Sequence, residues 1–457
     1  MSLITGVILA AGQGKRMHSV HPKVLHHVAG KPMLLHVLEA AKGAGVDDSI
    51  VVVGHGREEL LSTLPHLNYV VQEAQMGTGH AVAQAKTAIP KGSSGVLVLC
   101  GDTPLLTAEV LGALVEHHRV TGAAATILTA ELEDPQGYGR ILRDGSWSVQ
   151  RIVEQRDANP AEAAIREINS GTYIFEKDDL FAALENITPD NSQGEYYLTD
   201  VIRVFCNEGK KVSALKAKDP QEVLGINDRI QLARAGEILH RRKNRELMLE
   251  GVTIVDPATT WVDADVTIGQ DTILLPGTLI EGSTVIGREC RIGPSCRLQD
   301  CRVGEGSQVQ YAVLVGSSFG RECKIGPFAY IRPDSKVGNH VKIGDFVEIK
   351  KTTIGDGSKV PHHTYLGDSL LGANVNIGAG TITCNYDGEK KSVTTIRDNV
   401  FVGSNSNLVA PVEIGKNAYI AAGSTINENV PEDSLAIARQ RQTNIEGWVA
   451  KKGKKKE

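Results

Sequence analysis

The feature that most constrains this chain is a six-residue period in its second half. Aliphatic residues recur at Val262, Ile268, Leu274, Ile280, Ile286, Ile292 and Leu298, and after a one-residue deletion the count resumes at Val303, Val309 and Val315. A second run holds Ile325, Ile331, Val337, Ile343, Ile349, Ile354, Val360, Leu366, Leu371 and Ile377, and a third holds Ile396, Val402, Leu408, Ile414, Ile420 and Ile426. Glycine often follows the aliphatic residue, as at Gly269, Gly287, Gly326 and Gly403. Six matches neither the period of a helix nor that of an uninterrupted strand. It fits a short strand plus a corner, repeated, with the aliphatic side chain pointing inward each time. That is a parallel β-helix, in which each coil buries its inner face on the next. The polar segment between Ile377 and Ile396, Gly-Ala-Gly-Thr-Ile-Thr-Cys-Asn-Tyr-Asp-Gly-Glu-Lys-Lys-Ser, is too long for a coil. It predicts a loop on one face, and such insertions often carry function.

The first ~227 residues follow another pattern. Apolar runs at 6–11, 49–54 and 95–99 alternate with helical stretches at 33–44 and 78–87, which predicts a mainly parallel sheet flanked by helices. Residues 228–251 are rich in Arg, Glu, Leu and Ala and lack proline, and predict one helix ~33 Å long between the halves. The expected organisation is residues 1–227, a linker helix 228–250, a β-helix 251–437 and a C-terminal tail 438–457.

A length of 457 residues fits two or three domains at roughly 150 residues each. The net charge of −5 leaves no nucleic-acid footprint, and the basic Lys-Lys-Gly-Lys-Lys-Lys-Glu end reads as a solvated tail. Seven cysteines form no CxxC pair. Cys290, Cys296 and Cys301 cluster, but no nearby histidine completes a zinc set, so small buried thiols are expected. The odd count points to a reducing compartment. With no basic leader and no apolar run of ~18 residues, the expected location is the cytoplasm.

Chemistry first shows after the opening strand, in Leu9-Ala10-Ala11-Gly12-Gln13-Gly14-Lys15-Arg16-Met17, followed by Pro22-Lys23. Glycines at a strand end let backbone N–H groups approach phosphate oxygens, and Arg16 and Lys23 supply the cations a polyphosphate needs. No Gly-Lys-Ser/Thr follows, which excludes a P-loop, and Met17 stands where a dinucleotide fingerprint has its third glycine. Asp102, at the end of a buried apolar strand, suits one hard cation, and Asn227 offers a second oxygen.

In the β-helix, Lys359-Val-Pro-His362-His363-Thr364-Tyr365-Leu-Gly-Asp368 departs from repeat filler. Acyl transfer to an amine needs a base, and histidine serves near neutral pH. Arg332, Lys350 and Lys391 are available cations, and the inserted segment brings Asn385 and Tyr386. Periodicity does not choose between His362 and His363.

The opening signature resembles that of the nucleotide-sugar pyrophosphorylases. Further matches follow in order: Gln72-Glu73, Gly77-Thr78-Gly79-His80, Gly101-Asp102, Gly137-Tyr138-Gly139-Arg140, Glu154, Asn169, Gly194-Glu195-Tyr196-Tyr197 and Asn227. With the hexapeptide half, the chain resembles the bacterial bifunctional N-acetylglucosamine-1-phosphate uridyltransferase/glucosamine-1-phosphate acetyltransferase family to about residue 448. The resemblance implies an α/β chain with an N-terminal Rossmann-like nucleotidyltransferase domain and a left-handed β-helix. It implies acetylation of glucosamine 1-phosphate by acetyl-CoA, then coupling of N-acetylglucosamine 1-phosphate with UTP in the presence of Mg²⁺. Carried over by position, Leu9, Ala10, Ala11, Gly12, Arg16, Lys23 and Gly101 would hold the triphosphate. Gln72, Gly77 and Thr78 would read the uracil, Gly139, Glu154 and Asn169 the sugar, and Asp102 and Asn227 the metal. Arg332, Lys350, Tyr365, Asn376 and Lys391 would hold glucosamine 1-phosphate, and Ala379, Asn385, Tyr386, Ser404, Ala422 and Arg439 acetyl-CoA. The family pattern of His, then Ser/Thr-Tyr two residues on, places the base at His362. Two departures stand out: Cys100 replaces a tyrosine of some relatives, and His363 replaces an apolar residue. The implied assembly is a homotrimer with sites between subunits.

Two rival readings have their own signatures. In one, the β-helix only assembles a single-headed nucleotidyltransferase, which would not need His362-x-Thr-Tyr or the inserted loop. In the other, the chain is a non-catalytic sugar-phosphate sensor, which would not need Asp102 and Asn227 together.

Overall fold

The computed structural model describes residues 3–452. The chain forms two compact units, Met1–Leu239 and His240–Glu457.

The first unit is built on a nine-stranded sheet. Its main order is Val212–Lys216, Ala125–Glu131, Glu167–Glu176, Ser93–Cys100, Leu3–Ala10, Asp48–Val53 and Tyr69–Val71, with Gly139–Arg143 and Val149–Val153 branching from it. Neighbours are parallel except at Glu167–Glu176, which runs antiparallel to both flanking strands. The apolar runs are continuous because both faces are covered. Val7, Val52, Val96 and Val98 enter one buried cluster, while Ile8, Val51, Leu97 and Leu99 enter another on the opposite face. Strands Leu3–Ala10, Asp48–Val53 and Ser93–Cys100 therefore end side by side, and the loops after them share one edge, where open α/β sheets bind ligands.

The second unit is a parallel β-helix with three sheets of eleven, ten and nine strands, in which each strand pairs with the third one along except at the end, where Tyr419–Ile420 pairs with Leu435–Ala436, the second one along. The six-residue ladder is its core: Leu274, Ile280, Leu298, Ile331, Ile343, Val360 and Ile377 are all fully buried. A second inner column lies two residues before it and holds Thr272, Thr278, Thr284, Cys290, Cys296, Cys301, Ser307 and Cys323, all buried. The clustered cysteines are thus corner fillers. Cys290 and Cys301 direct their thiols at backbone carbonyls, and no metal-binding group of three donors occurs among the described residues. On one corner, coils approach so closely that a Cβ on Gly269 would lie 2.6 Å from Arg288 N, and one on Gly355 2.4 Å from the Gly372 carbonyl carbon. Only glycine fits there.

Two sequence expectations change. The inward residue after Val309 is Leu314, not Val315, because Val309 to Leu314 and Leu314 to Phe319 are both five-residue steps, with Tyr311 and Gly316 turning the corners at positive φ. The segment after Ile377 is not all loop. Ile382–Cys384 forms one more strand with Thr383 buried inside, and the excursion begins at Asn385, closed by a bridge between Tyr386 and Lys391.

A single helix, Arg229–Leu249, runs through the division. Ala235 and Ile238 pack with Val28, Met33, Leu105 and Ile226 of the first unit. Further along, Leu247 joins the β-helix core, His240 stacks edge-on to Trp261, and the Asn244 amide donates to the Pro257 and Thr260 carbonyls. The predicted linker is thus a packed element of both units.

Candidate active sites

The C-terminal edge of the first unit's sheet opens into a cavity of about 550 Å³. Leu9, Ala10, Ala11 and Gly12 line it from the first loop, Gln72, Gly77 and Thr78 from the side, and Lys23 and Asp102 from its floor. Gly14 takes a left-handed conformation (φ 61) that starts the short turn Lys15–Met17. Gly77, at φ 107, lies so near the Tyr196 backbone that a Cβ would come within 2.6 Å of its carbonyl oxygen. The Gln72 amide donates to Gly77 O (3.1 Å), and Thr78 Oγ1 accepts from Leu198 N (3.0 Å).

Lys23, Asp102 and Asn227 meet although 204 residues separate the outermost two. The Lys23 ammonium is ion-paired with Asp102 and donates to Asn227 Oδ1 at 3.1 Å. Ile226 N donates to Asp102 O (2.9 Å) and brings the second strand of chain to the first. A carboxylate and an amide oxygen thus converge on one cation position, a donor set suited to a hard divalent ion. The half-buried Cys100 thiol, which also lines the cavity, is raised to about 12, chiefly by desolvation and secondarily by Asp102.

Gly139, Glu154 and Asn169 form a second group. Gly139 pairs with Asn169 across the sheet, and a Cβ on Gly139 would lie 3.5 Å from a Glu154 carboxylate oxygen. Burial raises the Glu154 carboxyl, which accepts from Thr199 Oγ1 at 3.2 Å. Asn169 donates to Tyr173 OH (2.6 Å). Gly101 gives its N–H to Leu9 O, fixing the strand end beneath Asp102. Arg16 is exposed on its turn and does not line the cavity. Residues not singled out as binding groups, Gln13, Lys15, Gln75 and Glu195, do line it, and Gln75 clamps the glycine loop through Ala11 O at 2.8 Å.

In the β-helix, His362 is the exposed residue two places beyond buried Val360, and His363 turns the corner at φ 44. His362 Nδ1 lies 2.5 Å from Asp345 Oδ1, and this pair holds the Asp345 carboxyl below its usual range. Asp345 escaped sequence analysis, but it stands two places beyond Ile343, one coil before His362, and that equivalence was readable. The neighbouring His363 ring stacks on Phe346 (5.1 Å), which continues to Phe328 and Tyr311.

Arg332 and Lys350 occupy equivalent places on successive coils. Lys350 lies 3.5 Å from Asp368, which also accepts from the Asn385 amide (2.5 Å). Lys391, from the excursion, is held below its ordinary range chiefly by the Lys350 ammonium, while Lys350 is raised. Two ammonium groups this close, with Tyr365 alongside, are chemically suited to hold an anion. Asn376 is not brought to it, since its strand lies in a different sheet, beside Lys359 and Phe401. Ala379, Ser404 and Ala422 follow His362 in one column down the coils, and Arg439 closes it next to Gly423. The Tyr386 ring is exposed, and its hydroxyl donates to Gly388 O within the excursion.

Comparison with known proteins agrees with this division. The nucleotidyl transferase family matches residues 5–264, and the bacterial transferase hexapeptide family, of six repeats, matches 316–351 and 394–428. Proteins named bifunctional protein GlmU are similar over the whole chain. That of Caldanaerobacter subterraneus subsp. tengcongensis is 55% identical over 456 residues, covering 100% of this chain and 99% of that protein. The one from Heliobacterium modesticaldum is 52% identical and that from a Geobacillus sp. 51% identical, covering 98% and 97% of both chains respectively. With a nucleotidyltransferase sheet and a left-handed β-helix each carrying a site of its own, the chain belongs to the GlmU family of bifunctional transferases, an N-acetylglucosamine-1-phosphate uridyltransferase joined to a glucosamine-1-phosphate acetyltransferase.

Proposed function

We propose that the two sites divide the synthesis of UDP-N-acetylglucosamine between them, with the residues above in the following roles. In the β-helix, Arg332, Lys350, Tyr365, Asn376 and Lys391 hold glucosamine 1-phosphate, the paired ammonium groups facing its phosphate. Ala379, Asn385, Tyr386, Ser404, Ala422 and Arg439 flank acetyl-CoA. Asp345 accepts from His362 Nδ1–H, which leaves the Nε2 lone pair free as base. The amine nitrogen attacks the thioester carbonyl, His362 Nε2 takes its proton, and the thiolate of CoA leaves.

In the sheet unit, an oxygen of the N-acetylglucosamine 1-phosphate phosphate attacks the α-phosphorus of UTP, and pyrophosphate departs. The substrate is its own nucleophile, so the protein positions groups and neutralises charge. The Leu9–Gly12 backbone and Gly101 cradle the phosphates, with Arg16 and Lys23 supplying positive charge. Gln72, Gly77 and Thr78 hold the uracil, and Gly139, Glu154 and Asn169 the sugar. Asp102 and Asn227 would hold Mg²⁺, which when bound adds positive charge at the triphosphate.

Asn376 lies on a different sheet from Lys350, which favours sites completed by a second copy, and we assign a homotrimer. Seven free thiols favour the reducing cytoplasm. The observation that carries the two-reaction reading is the His362–Asp345 pair on one sheet of the β-helix together with the Lys350–Lys391 pair of cations at another, polar groups that an assembly module would not need. Mass spectra of the purified protein with glucosamine 1-phosphate, acetyl-CoA, UTP and Mg²⁺ should show CoA, pyrophosphate and UDP-N-acetylglucosamine. Product from N-acetylglucosamine 1-phosphate alone, with no acetylation, would reduce the β-helix to an assembly device.

A further inference from the structure

The Lys23 ammonium holds the same two oxygens assigned above to a divalent ion. It is ion-paired with Asp102 and donates to Asn227 Oδ1 at 3.1 Å, in a pocket where the Lys23 and Asp102 side chains are only 15% and 19% exposed. Its backbone is fixed by the turn Lys23–Leu25, and Gly14 packs so tightly on its stem that a Cβ there would lie 2.7 Å from Lys23 Cβ. An ammonium and a divalent cation cannot share two oxygens, because their repulsion in a sheltered site is large. We propose that Lys23 is the resident counter-ion of the Asp102–Asn227 site, which a divalent cation must displace. This rests on Asp102 and Asn227 being the metal ligands.

Displacement gives the nucleotide-free protein a weak hold on metal. It also frees the ammonium toward the Leu9–Gly12 loop, in the cavity that Lys23 lines with them. A triphosphate there gives Lys23 a new partner, and by linkage whatever draws the ammonium away strengthens metal binding by the same factor that metal strengthens it.

The test measures Mn²⁺ binding to the full-length protein by electron paramagnetic resonance of the free ion, without nucleotide and without turnover. Lys23→Gln should bind Mn²⁺ about 5–150-fold more tightly than wild type, the usual span of such couplings. Lys15→Gln removes a cation from the same cavity without touching Asp102 or Asn227, and should change the affinity far less. Asp102→Asn should lose the site. Far-ultraviolet circular dichroism and an unchanged thermal transition of a fragment of residues 1–250 carrying each substitution show that each variant is folded. Equal or weaker binding by Lys23→Gln, or an equal gain in Lys15→Gln, overturns the counter-ion role and leaves the ligand assignment standing. Unchanged binding in Asp102→Asn overturns the ligand assignment itself.

Discussion

His362 and His363 are neighbours in sequence with opposite surroundings. His362 reaches a carboxylate, and His363 stacks on Phe346, which stacks on Phe328, with Tyr311 tilted against the far end of the line. Stacking gives the imidazole at position 363 an aromatic partner on the exposed corner. His362→Ala should lower acetyl-transfer kcat by ~10²–10⁴-fold with little change in the KM for acetyl-CoA. His363→Ala should spare kcat and cost about 0.5–1.5 kcal/mol of stability through the lost ring contact. Steady-state kinetics of both variants decides, and a larger kcat loss at position 363 would reverse the assignment. In the first unit, His118 is buried, with Nδ1 on Thr126 and Nε2 without a hydrogen bond, although the Glu176 carboxylate comes within 3.4 Å. Burial, and secondarily His117, lower it from 6.5 to about 4. The folded state thus keeps His118 neutral while the unfolded chain protonates below 6.5, so stability is complete above that pH and falls as pH drops toward 4. The loss is about 3 kcal/mol at most. Urea midpoints of the first unit at about pH 7 and about pH 5 should differ less in His118→Gln than in wild type, and an equal difference would remove His118 as the cause.

Among the elements, the strand Lys342–Asp345 shows how repeat geometry and chemistry depend on each other. A Cβ on Gly344 would lie 1.9 Å from Pro361 O, a backbone atom of the strand that carries His362. Gly344→Ala must push the two coils apart where Asp345 meets His362. The expected result is a stability loss of roughly 1–3 kcal/mol, as for overpacking, together with a fall in acetyl transfer, uridyl transfer being preserved. A thermal scan with both assays checks this, and unimpaired acetyl transfer would show that the pair tolerates the shift. The ladder was legible from sequence because an inward aliphatic residue every six positions admits one arrangement. Leu314 was misassigned because two five-residue corners in succession shift the count, and both Leu314 and Val315 are aliphatic. Asp345 was missed because a lone carboxylate on an exposed corner resembles the other acidic corner residues. The convergence of Lys23, Asp102 and Asn227 is a matter of strand order, which periodicity does not carry.

For the whole molecule, the helix Arg229–Leu249 decides where the chain can be cut. Its first half is part of the core around Met33 and Leu105, and its second half caps the β-helix through Asn244 and Leu247. A fragment of residues 1–250 should make UDP-N-acetylglucosamine from N-acetylglucosamine 1-phosphate, and one of 229–457 should acetylate glucosamine 1-phosphate. A fragment beginning at 251 lacks the cap and should melt at a lower temperature than one beginning at 229. If both melt alike, the helix is only a tether.

Column spacing in the β-helix also sets a length. Asp345, His362, Ala379, Ser404 and Ala422 stand one coil apart in a single file. Coils repeat at the ~4.8 Å spacing of paired strands, so His362 and Ala422 are three steps, or about 14 Å, apart. The prism is therefore graduated like a ruler, and whatever lies along this edge is measured in whole coils. Inserting a coil above Asp345 would leave the graduation untouched. One inserted between His362 and Ala422 would lengthen it by a full division, with no intermediate value available, so this stretch can adapt to a longer or shorter acyl carrier only in jumps.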